Sequence, residues 1–447
     1  MQTQRDHVHA YQFMVRRMTS ALVAGDPSAL EPPARRSLTG LVIGLVLGLL
    51  VAVGFGVFGI IVPGGNYVWQ EPGAILVEEE TGTRYVMLDG TLHPTINQAS
   101  AMLLQGKDAA MHTISSNSLA GLPHGAPVGI PGAPDPLPRP DALYRGPLAL
   151  CLSIPDSGGA ASATLLPAGQ DAGLTAPSKQ DYLLVRGPDG ITYLAWQGAK
   201  HRLTDDTVAV ALGLPAAVEV PRLWLALLRD GPEIGPADVP GAGEPGLEVG
   251  GVRQAVGQVF EQVAGGGRQF FVLLRDGLAR LSETDFTLLA ARAAAGKPLP
   301  ITPAEVVATP ESADTSLRDR LPDLTGVRPI RTAEASVCVS QVPTGTRVVA
   351  GIVLARRSPA TAAPGEIGIR LPPSAGLLVA AVPIPDGQRR PDRYLITDQG
   401  RVHSVPDDES MVALGLGRVQ PVAMNKRLLS ELPTGPTLSR QALGILD

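Results

Sequence analysis

The chain has 447 residues, of which 44% are hydrophobic but only 4% aromatic and 18% charged, and its net charge is −5 at pH 7. Such a composition supports one to three aliphatic cores and excludes wholesale disorder, and the acidic balance argues against a nucleic-acid partner, which needs a basic face. Two cysteines exclude a disulfide-dense mini-scaffold and a four-cysteine zinc site, while 51 glycines and 42 prolines fall just short of low-complexity sequence.

The first signal along the chain is a stripe at helical spacing, Tyr11, Met14, Val15, Met18, Ala21 and Leu22, with Arg16 and Arg17 off it and Pro27, Pro32 and Pro33 beyond it. It predicts a basic amphipathic helix, suited equally to an anionic leaflet or to a partner protein. Leu41 to Val62 then runs 22 residues without a charge. At about 1.5 Å per residue it spans about 33 Å, enough for a bilayer core. Arg16, Arg17, Arg35 and Arg36 precede the span. No Lys or Arg follows it until Arg84, whereas Glu71, Glu78, Glu79 and Glu80 do. The positive-inside rule therefore puts the N-terminus in the cytoplasm and residues 63–447 outside, with Tyr67 and Trp69 at the interface. Gly40, Gly44, Gly48 and Ala52 form a small-residue face on the span that would admit a second helix, although glycine is common in membrane helices in any case.

The exterior part repeats itself. YVMLDGTLHP from Tyr85, YLAWQGAKHRL from Tyr193, FFVLLRDGLARL from Phe270 and RYLITDQGRVHSV from Arg393 share glycines at Gly90, Gly198, Gly277 and Gly400. Thr81–Gly82, Asp189–Gly190, Gly265–Gly267 and Asp386–Gly387 mark hairpin turns just upstream. Seven residues after the shared glycines stand Asn97, Asp205, Thr284 and Asp407, all residue types that cap helix N-termini, and each precedes an apolar stretch. The expected unit is a hairpin followed by a helix, four times over. Cys151 and Cys338 each lie 61 residues after a shared glycine, in the similar stretches ALCLSIP and SVCVSQVP. This suggests a duplication with pseudo-twofold symmetry in which the two cysteine strands meet in a central sheet. An oxidising exterior favours bonding a lone cysteine pair, against the alternative of two separate buried thiols.

Catalytic patterns are mostly missing. Gly296–Lys297 is followed by Pro298 and has Ala291 where a phosphate loop needs its first glycine; GxSxG, HExxH and CxxC do not occur; GAGEPG at 241–246 lies in a Pro-rich loop. His93, His201 and His403 each fall three residues after a shared glycine, with Arg280 at that spacing in the third repeat, so they read as packing features of the unit. The pairs Asp205–Asp206 and Asp407–Asp408 read as capping residues rather than catalytic acids. No catalytic, cofactor or metal residue is assigned.

The tail RDHVHAYQFMVRRMTSALVAGDP, the single span, the stretch from Tyr85 to Leu103 and the GIPGAP motif from Gly129 to Pro134 together resemble the EccB family of the type VII (ESX) secretion system, over the whole chain. The resemblance places the family's core cystine at Cys151 and Cys338. It implies a subunit of an inner-membrane core complex with EccC, EccD, EccE and the mycosin protease as partners, self-association through the exterior domain, and a cytoplasmic helix packed among other subunits. Family members also carry an ATPase label, so ATP enters by that label alone.

The combined expectation is an α+β protein: a cytoplasmic tail at 1–40, a transmembrane helix at 41–62, repeats at 74–120, 178–236, 255–319 and 376–447, and core segments at 121–177 and 320–375. The function expected first is a structural, membrane-anchored scaffold of the secretion complex. The alternatives are a peptidoglycan-binding module acting by avidity and an ATP-hydrolysing subunit.

Overall fold

A computed structural model describes residues 4–25, 35–61, 67–169, 173–264, 267–292, 296–357 and 362–444. Two long helices come first. Gln4–Ala24 carries the periodic stripe, and Tyr11, Met14, Met18 and Leu22 are all exposed on it. Arg35–Ile61 is apolar on every side, and its stretch Ser37–Phe58 is long and apolar enough to cross a membrane, with none of it buried by the rest of the chain. A helix hydrophobic all round needs lipid or protein about it. Val62, the last residue of the expected span, and Pro27, Pro32 and Pro33 lie outside the described residues.

The remainder is mixed α+β and mostly sheet. In the first unit Ala74–Glu78, Arg84–Leu88 and Thr91–Thr95 form an antiparallel meander, the helix Gln98–Gln105 follows, and Ala110–Ile114 returns parallel to Ala74–Glu78. The second has the same order in Asp181–Arg186, Thr192–Trp196, Ala199–Arg202, helix Asp206–Ala211 and Val218–Glu219. The third uses Val259–Ala264, Gly267–Leu273, Leu278–Leu281, helix Glu283–Ala290 and Leu299–Pro300. The fourth uses Gly376–Val382, Arg393–Thr397, Val402–Ser404, helix Asp408–Ala413 and Val422–Asn425.

Each unit is therefore larger than a hairpin plus a helix. The residues between each shared glycine and its helix form a third strand, and a fourth strand adds on the far side of the first. The third strands are only three to five residues long, too short for alternation to show. The fourth pairs in parallel with a strand far back in the chain, which no local pattern reports. Asp89–Gly90 and Gln197–Gly198 turn into the third strand with both residues at positive φ, the type I′ geometry that follows strand twist.

Helix starts follow from capping. Asn97, Asp205 and Asp407 accept hydrogen bonds from the Ser100, Thr207 and Ser410 amides at 2.9, 2.8 and 2.6 Å. The third unit differs from expectation: Ser282, not Thr284, is the cap, accepting from the Asp285 amide at 3.0 Å. Ser282 wins because its hydroxyl also donates to the Asp285 carboxylate at 2.9 Å, which pins the first turn two residues earlier. Thr284 is buried inside the helix, where its hydroxyl accepts from the Leu324 amide.

A fifth sheet joins distant parts of the chain. Its order is Arg347–Arg356, Ala335–Thr344, Leu148–Ser153, Ser162–Pro167 and Ile367–Ile369. Cys338 stands directly opposite Cys151 in the antiparallel pair at its centre, and the two are bonded, with Cα atoms 3.9 Å apart. The bond closes a loop with a sequence separation of 187. By chain entropy that crosslink contributes about 5 kcal/mol.

One face of this sheet, with Leu148, Leu150, Leu165, Val337 and Val339, shares a core with Leu183, Val185 and Trp224 from the second unit and Leu377, Val379 and Leu428 from the fourth. The helices Arg222–Ala226 and Lys426–Glu431, which follow the fourth strands of those two units, touch each other in that core.

Candidate functional site: two clamped unit pairs on a cystine-stapled sheet

The first and fourth units meet through their helices, Gln98–Gln105 against Asp408–Ala413. Ala99, Leu103, Leu378, Leu395, Met411 and Leu438 form a continuous buried cluster there. The second and third units meet likewise, Asp206–Ala211 against Glu283–Ala290. Leu184, Leu203, Val208, Leu288, Leu321 and Leu324 fill that junction. Contact thus runs from the first unit to the fourth, across the cystine sheet to the second, and on to the third.

An arginine ties each junction. Arg320 donates to the Asp285 carboxylate, which is fully buried in the third unit's helix, and to the Gly235 carbonyl at the end of the second unit. Arg440 pairs with Glu409 at 2.9 Å on the fourth unit's helix and donates to the Leu103 carbonyl of the first at 2.9 Å. Gly106 leaves room for that guanidinium, since a Cβ there would sit 3.0 Å from Nη1. None of these residues was singled out by sequence, because an arginine far downstream of its acid leaves no spacing signal.

A second device closes the units individually. After the fourth strand the chain returns beside the third strand, through bridges at Leu92–His124, Leu203–Ile234, Leu278–Glu311 and Val402–Thr434. In three units a histidine of the third strand donates from Nδ1 to a carbonyl of this return segment. The pairs are His93 with Ala126 at 2.9 Å, His201 with Pro232 at 3.0 Å and His403 with Pro436 at 3.1 Å. Each ring lies flat against the preceding glycine, Gly125, Gly231 or Gly435, where a Cβ would overlap the ring. Burial pushes the His201 and His403 imidazoles below their ordinary value, which the carbonyl contact opposes only in part.

The third unit breaks the expected equivalence of Arg280 with these histidines. The Leu278 amide donates to Pro310 and the Ser312 amide to Leu278, as Leu92 does to Pro123 and Gly125 to Leu92. By that register the residue at the histidine position is Ala279, facing Ser312. The turn between Leu273 and Leu278 is two residues longer than Asp89–Gly90, which shifts the count from Gly277 by one. Gly277 itself is needed because a Cβ would collide with the Pro310 carbonyl. Arg280 instead lies over the Phe271 ring at 5.9 Å.

The acid pairs are committed to structure. Asp205 and Asp407 cap their helices. Asp206 takes Arg186 at 3.0 Å and the Thr192 hydroxyl, and Asp408 takes Arg393 and Arg390. The hydroxyl of Thr207 holds Asp205 below the usual carboxylate range, and hydrogen bonds from Arg393 and Arg390 do the same to Asp408. Among the described residues no group of three His, Cys, Asp or Glu side chains is placed to hold a metal ion. This geometry binds unit to unit.

Known proteins resemble this chain in sequence and fold. The family described as "Type VII secretion system ESX-1, transport TM domain B" matches residues 1–445. The ESX-1 secretion system ATPase EccB1 of Mycobacterium tuberculosis (strain ATCC 25618 / H37Rv) is 26% identical, over 98% of this chain and 94% of its own length. The ESX-3 secretion system ATPase EccB3 of Mycolicibacterium smegmatis (strain ATCC 700084 / mc(2)155) is also 26% identical, over 98% and 89%. Among solved structures, a chain of an intact ESX-5 inner membrane complex aligns at 25% identity with a TM-score of 0.61, covering 100% of this chain and 96% of that one. The EccB3 dimer from the ESX-3 core complex has the same fold at 23% identity and a TM-score of 0.58, over 83% of this chain and 99% of that one. With membrane-length helix, cystine sheet and paired units all inside the matched residues, the chain belongs to the EccB family of type VII secretion components.

Proposed function

We propose that this chain is a structural, membrane-anchored subunit that scaffolds a type VII secretion core complex and orders its exterior face. The observation that carries the reading is the match of the whole chain, anchor and sheet-rich body together, to a chain of an intact ESX-5 inner membrane complex. The flanking arginines orient residues 1–40 to the cytoplasm and the bulk outside, where an oxidising space keeps Cys151 and Cys338 joined. Gly40, Gly44, Gly48 and Ala52 offer a packing face to another membrane helix. The exposed stripe on Gln4–Ala24 offers a docking face to cytoplasmic subunits. The partners are EccC, EccD, EccE and the mycosin protease, with self-association through the exterior body.

The four units, bounded near 74–120, 178–236, 255–319 and 376–447, descend from a duplication with pseudo-twofold symmetry. The shared strand order supports this, as does the equivalent placing of helices Arg222–Ala226 and Lys426–Glu431 against one sheet. Energy for transport comes from the cytoplasmic EccC. ATP reaches this chain through the name of its relatives alone, and the second reading, ATP hydrolysis, rests on that name.

Replacing the chain in its host by residues 1–73 tests the scaffold. Secretion is expected to stop while cytoplasmic ATP turnover continues; undiminished secretion overturns the reading. ATP turnover by the purified full chain that survives further purification and is lost in Asp205→Asn/Asp407→Asn would favour the enzyme instead.

A further inference from the structure

The four units end on equivalent fourth strands, and three of those strands are covered or blunted on their outer side. At Val218–Glu219 the Ala161 amide donates to the Glu219 carbonyl at 2.8 Å. Val422–Asn425 lies against Ala335–Thr344 and Arg347–Arg356 of the cystine sheet. Leu299–Pro300 is two residues long and ends in a proline, which has no amide to donate to a neighbouring strand. Ala110–Ile114 is different. It is five residues long, contains no proline, and among the described residues pairs with Ala74–Glu78 alone. Ala110, Met111 and Thr113 are exposed, Met111 by 55%. Such an edge is a template for another strand.

The Ala110 amide donates to the Gly73 carbonyl at 3.0 Å, and the Ile114 carbonyl accepts from the Glu79 amide at 3.0 Å. Main-chain groups alternate between the two sides of a strand. Residues 110, 112 and 114 therefore turn theirs to Ala74–Glu78, while Met111 and Thr113 turn theirs outward. Side chains alternate between faces as well. Met111 and Thr113 stand on the face of Ile75, which clusters with Ala101 of the helix Gln98–Gln105. His112 stands on the face of Leu76 and Glu78. That second face is acidic: Glu71 Oε2 is 4.0 Å from His112 Nε2, and Glu78 is the register partner of Ile114. Glu79 and Glu80 follow at that end of the edge, and at the other end Asp108 offsets Lys107.

We propose that Ala110–Ile114 accepts an extended segment of another protein as an added strand, one that alternates basic and apolar residues. The main chain of that segment bonds to the outward amides and carbonyls of Met111 and Thr113. Its lysines or arginines lie on the face of Glu71 and Glu78, and its apolar residues lie beside Met111. Main-chain pairing supplies attachment, and the alternate side chains supply choice. A second copy presenting the same edge would add its own carboxylates with only Lys107 at that edge to answer them, whereas a basic segment answers them directly. The proposal does not depend on the scaffold reading.

The test uses the full chain in phosphatidylcholine nanodiscs and a short fluorescent peptide alternating lysine and valine. Binding is read by fluorescence anisotropy and its place by hydrogen exchange. In the free chain residues 110–114 should exchange faster than Ala74–Glu78. The peptide should slow 110–114 and leave Val218–Glu219 and Val422–Asn425 unchanged. The same peptide N-methylated along its length keeps its charges and valines but has no amide to donate, and should bind about tenfold more weakly. A glutamate–valine peptide should bind more weakly still. Met111→Pro removes an outward amide and no bond to Ala74–Glu78, and should weaken binding about tenfold. Glu71→Gln/Glu78→Gln should weaken the lysine peptide and strengthen the glutamate one. If Met111→Pro fails to fold, judged by lost protection in Arg84–Leu88, the N-methylated peptide decides alone. Equal binding of the N-methylated peptide would reduce the contact to charge and overturn the added strand; equal binding of the glutamate peptide would overturn the basic partner. Peptide-induced protection that spares 110–114, or protection of 110–114 that grows with chain concentration in the absence of peptide and so puts a second copy there, overturns the proposal.

Discussion

The two junctions between units use the same parts at different depths. At the second-to-third junction the acid, Asp285, is completely buried and its arginine is 30% exposed; at the first-to-fourth junction the acid, Glu409, is 53% exposed and its arginine 20%. The same ion pair is therefore a different kind of interaction in each. Water screens Glu409 and supports it when alone, whereas Asp285 has only Arg320, the Ser282 hydroxyl and its helix to answer its charge. The units also differ in how they close. Three use a histidine ring on a glycine, and the third uses Ala279 facing Ser312, with the Ser312 hydroxyl turned to Asp276 at 2.8 Å. Two small side chains there take the place of a ring packed on a glycine.

The largest expected effect comes from breaking the buried clamp. Arg320→Ala removes the ion partner of the buried Asp285, a loss of about 3–5 kcal/mol at that junction. Hydrogen exchange should accelerate in Glu283–Ala290 and in the 234–239 segment while Gln98–Gln105 keeps its protection. Equal loss at both junctions would mean that the two are not independent.

Next in size is the ring-on-glycine contact. Gly435→Ala forces a methyl into the buried His403 ring and should cost about 1–3 kcal/mol, read as faster exchange in residues 433–438. The double variant His403→Ala/Gly435→Ser installs the third unit's pair and should recover much of that loss, so the two changes are expected to be strongly non-additive. Additive losses would show that the rings and glycines are neighbours without being coupled.

Acid should separate the units in the same way. His201 and His403 have folded values below the unfolded one because burial disfavours their charged form. The unfolded chain then binds protons more readily, and stability present above about pH 6.5 declines as pH falls below it. Arg229 and Arg401 are the charged groups whose fields oppose protonation of the two rings. The depressed carboxylates, Asp205 and Asp408, act in the same direction only at lower pH, below the ordinary aspartate range. Exchange compared at pH 7.5 and 5.5 should therefore rise in the return segments at 231–234 and 433–438, and least at 309–312, where no histidine titrates. A uniform rise across all units would remove the histidines from the account.

Much of this organisation could be read from residues, for physical reasons. The membrane-length helix announces itself because its apolar run carries no charge. Cap residues are visible because Asn97, Asp205 and Asp407 act within three residues of their own position. The cysteines are visible because they are rare. Thr284 was misplaced because Ser282 offers a competing cap two residues away, and chain position alone does not rank them. The return segments stayed hidden because their partners lie 31 to 33 residues upstream, and a glycine chosen to clear a ring looks like any turn glycine. Arg320 and Arg440 were illegible for the same reason: surface-like arginines acquire meaning only when the fold brings a helix to them. The open edge at Ala110–Ile114 appears only once the fourth strands of the four units are set side by side.

The smallest expected effect lies at the exposed clamp, and it decides whether depth or mere presence of the ion pair matters. Arg440→Ala removes a partner from Glu409, which water then serves, so the Coulombic loss is within about 1 kcal/mol. The buried Leu103 carbonyl loses its donor as well, but it lies at a helix end, where carbonyls lack intrahelical partners, and the space vacated by the partly exposed guanidinium opens it to water. What remains is the apolar cluster of Leu103, Met411 and Leu438, which holds the first and fourth units together without the arginine. Exchange in Gln98–Gln105 should therefore rise only slightly, far less than Arg320→Ala raises it in Glu283–Ala290. A loss as large as that of Arg320→Ala would show that the exposed pair is cooperative with the buried core beneath it, and that the two junctions are equivalent after all.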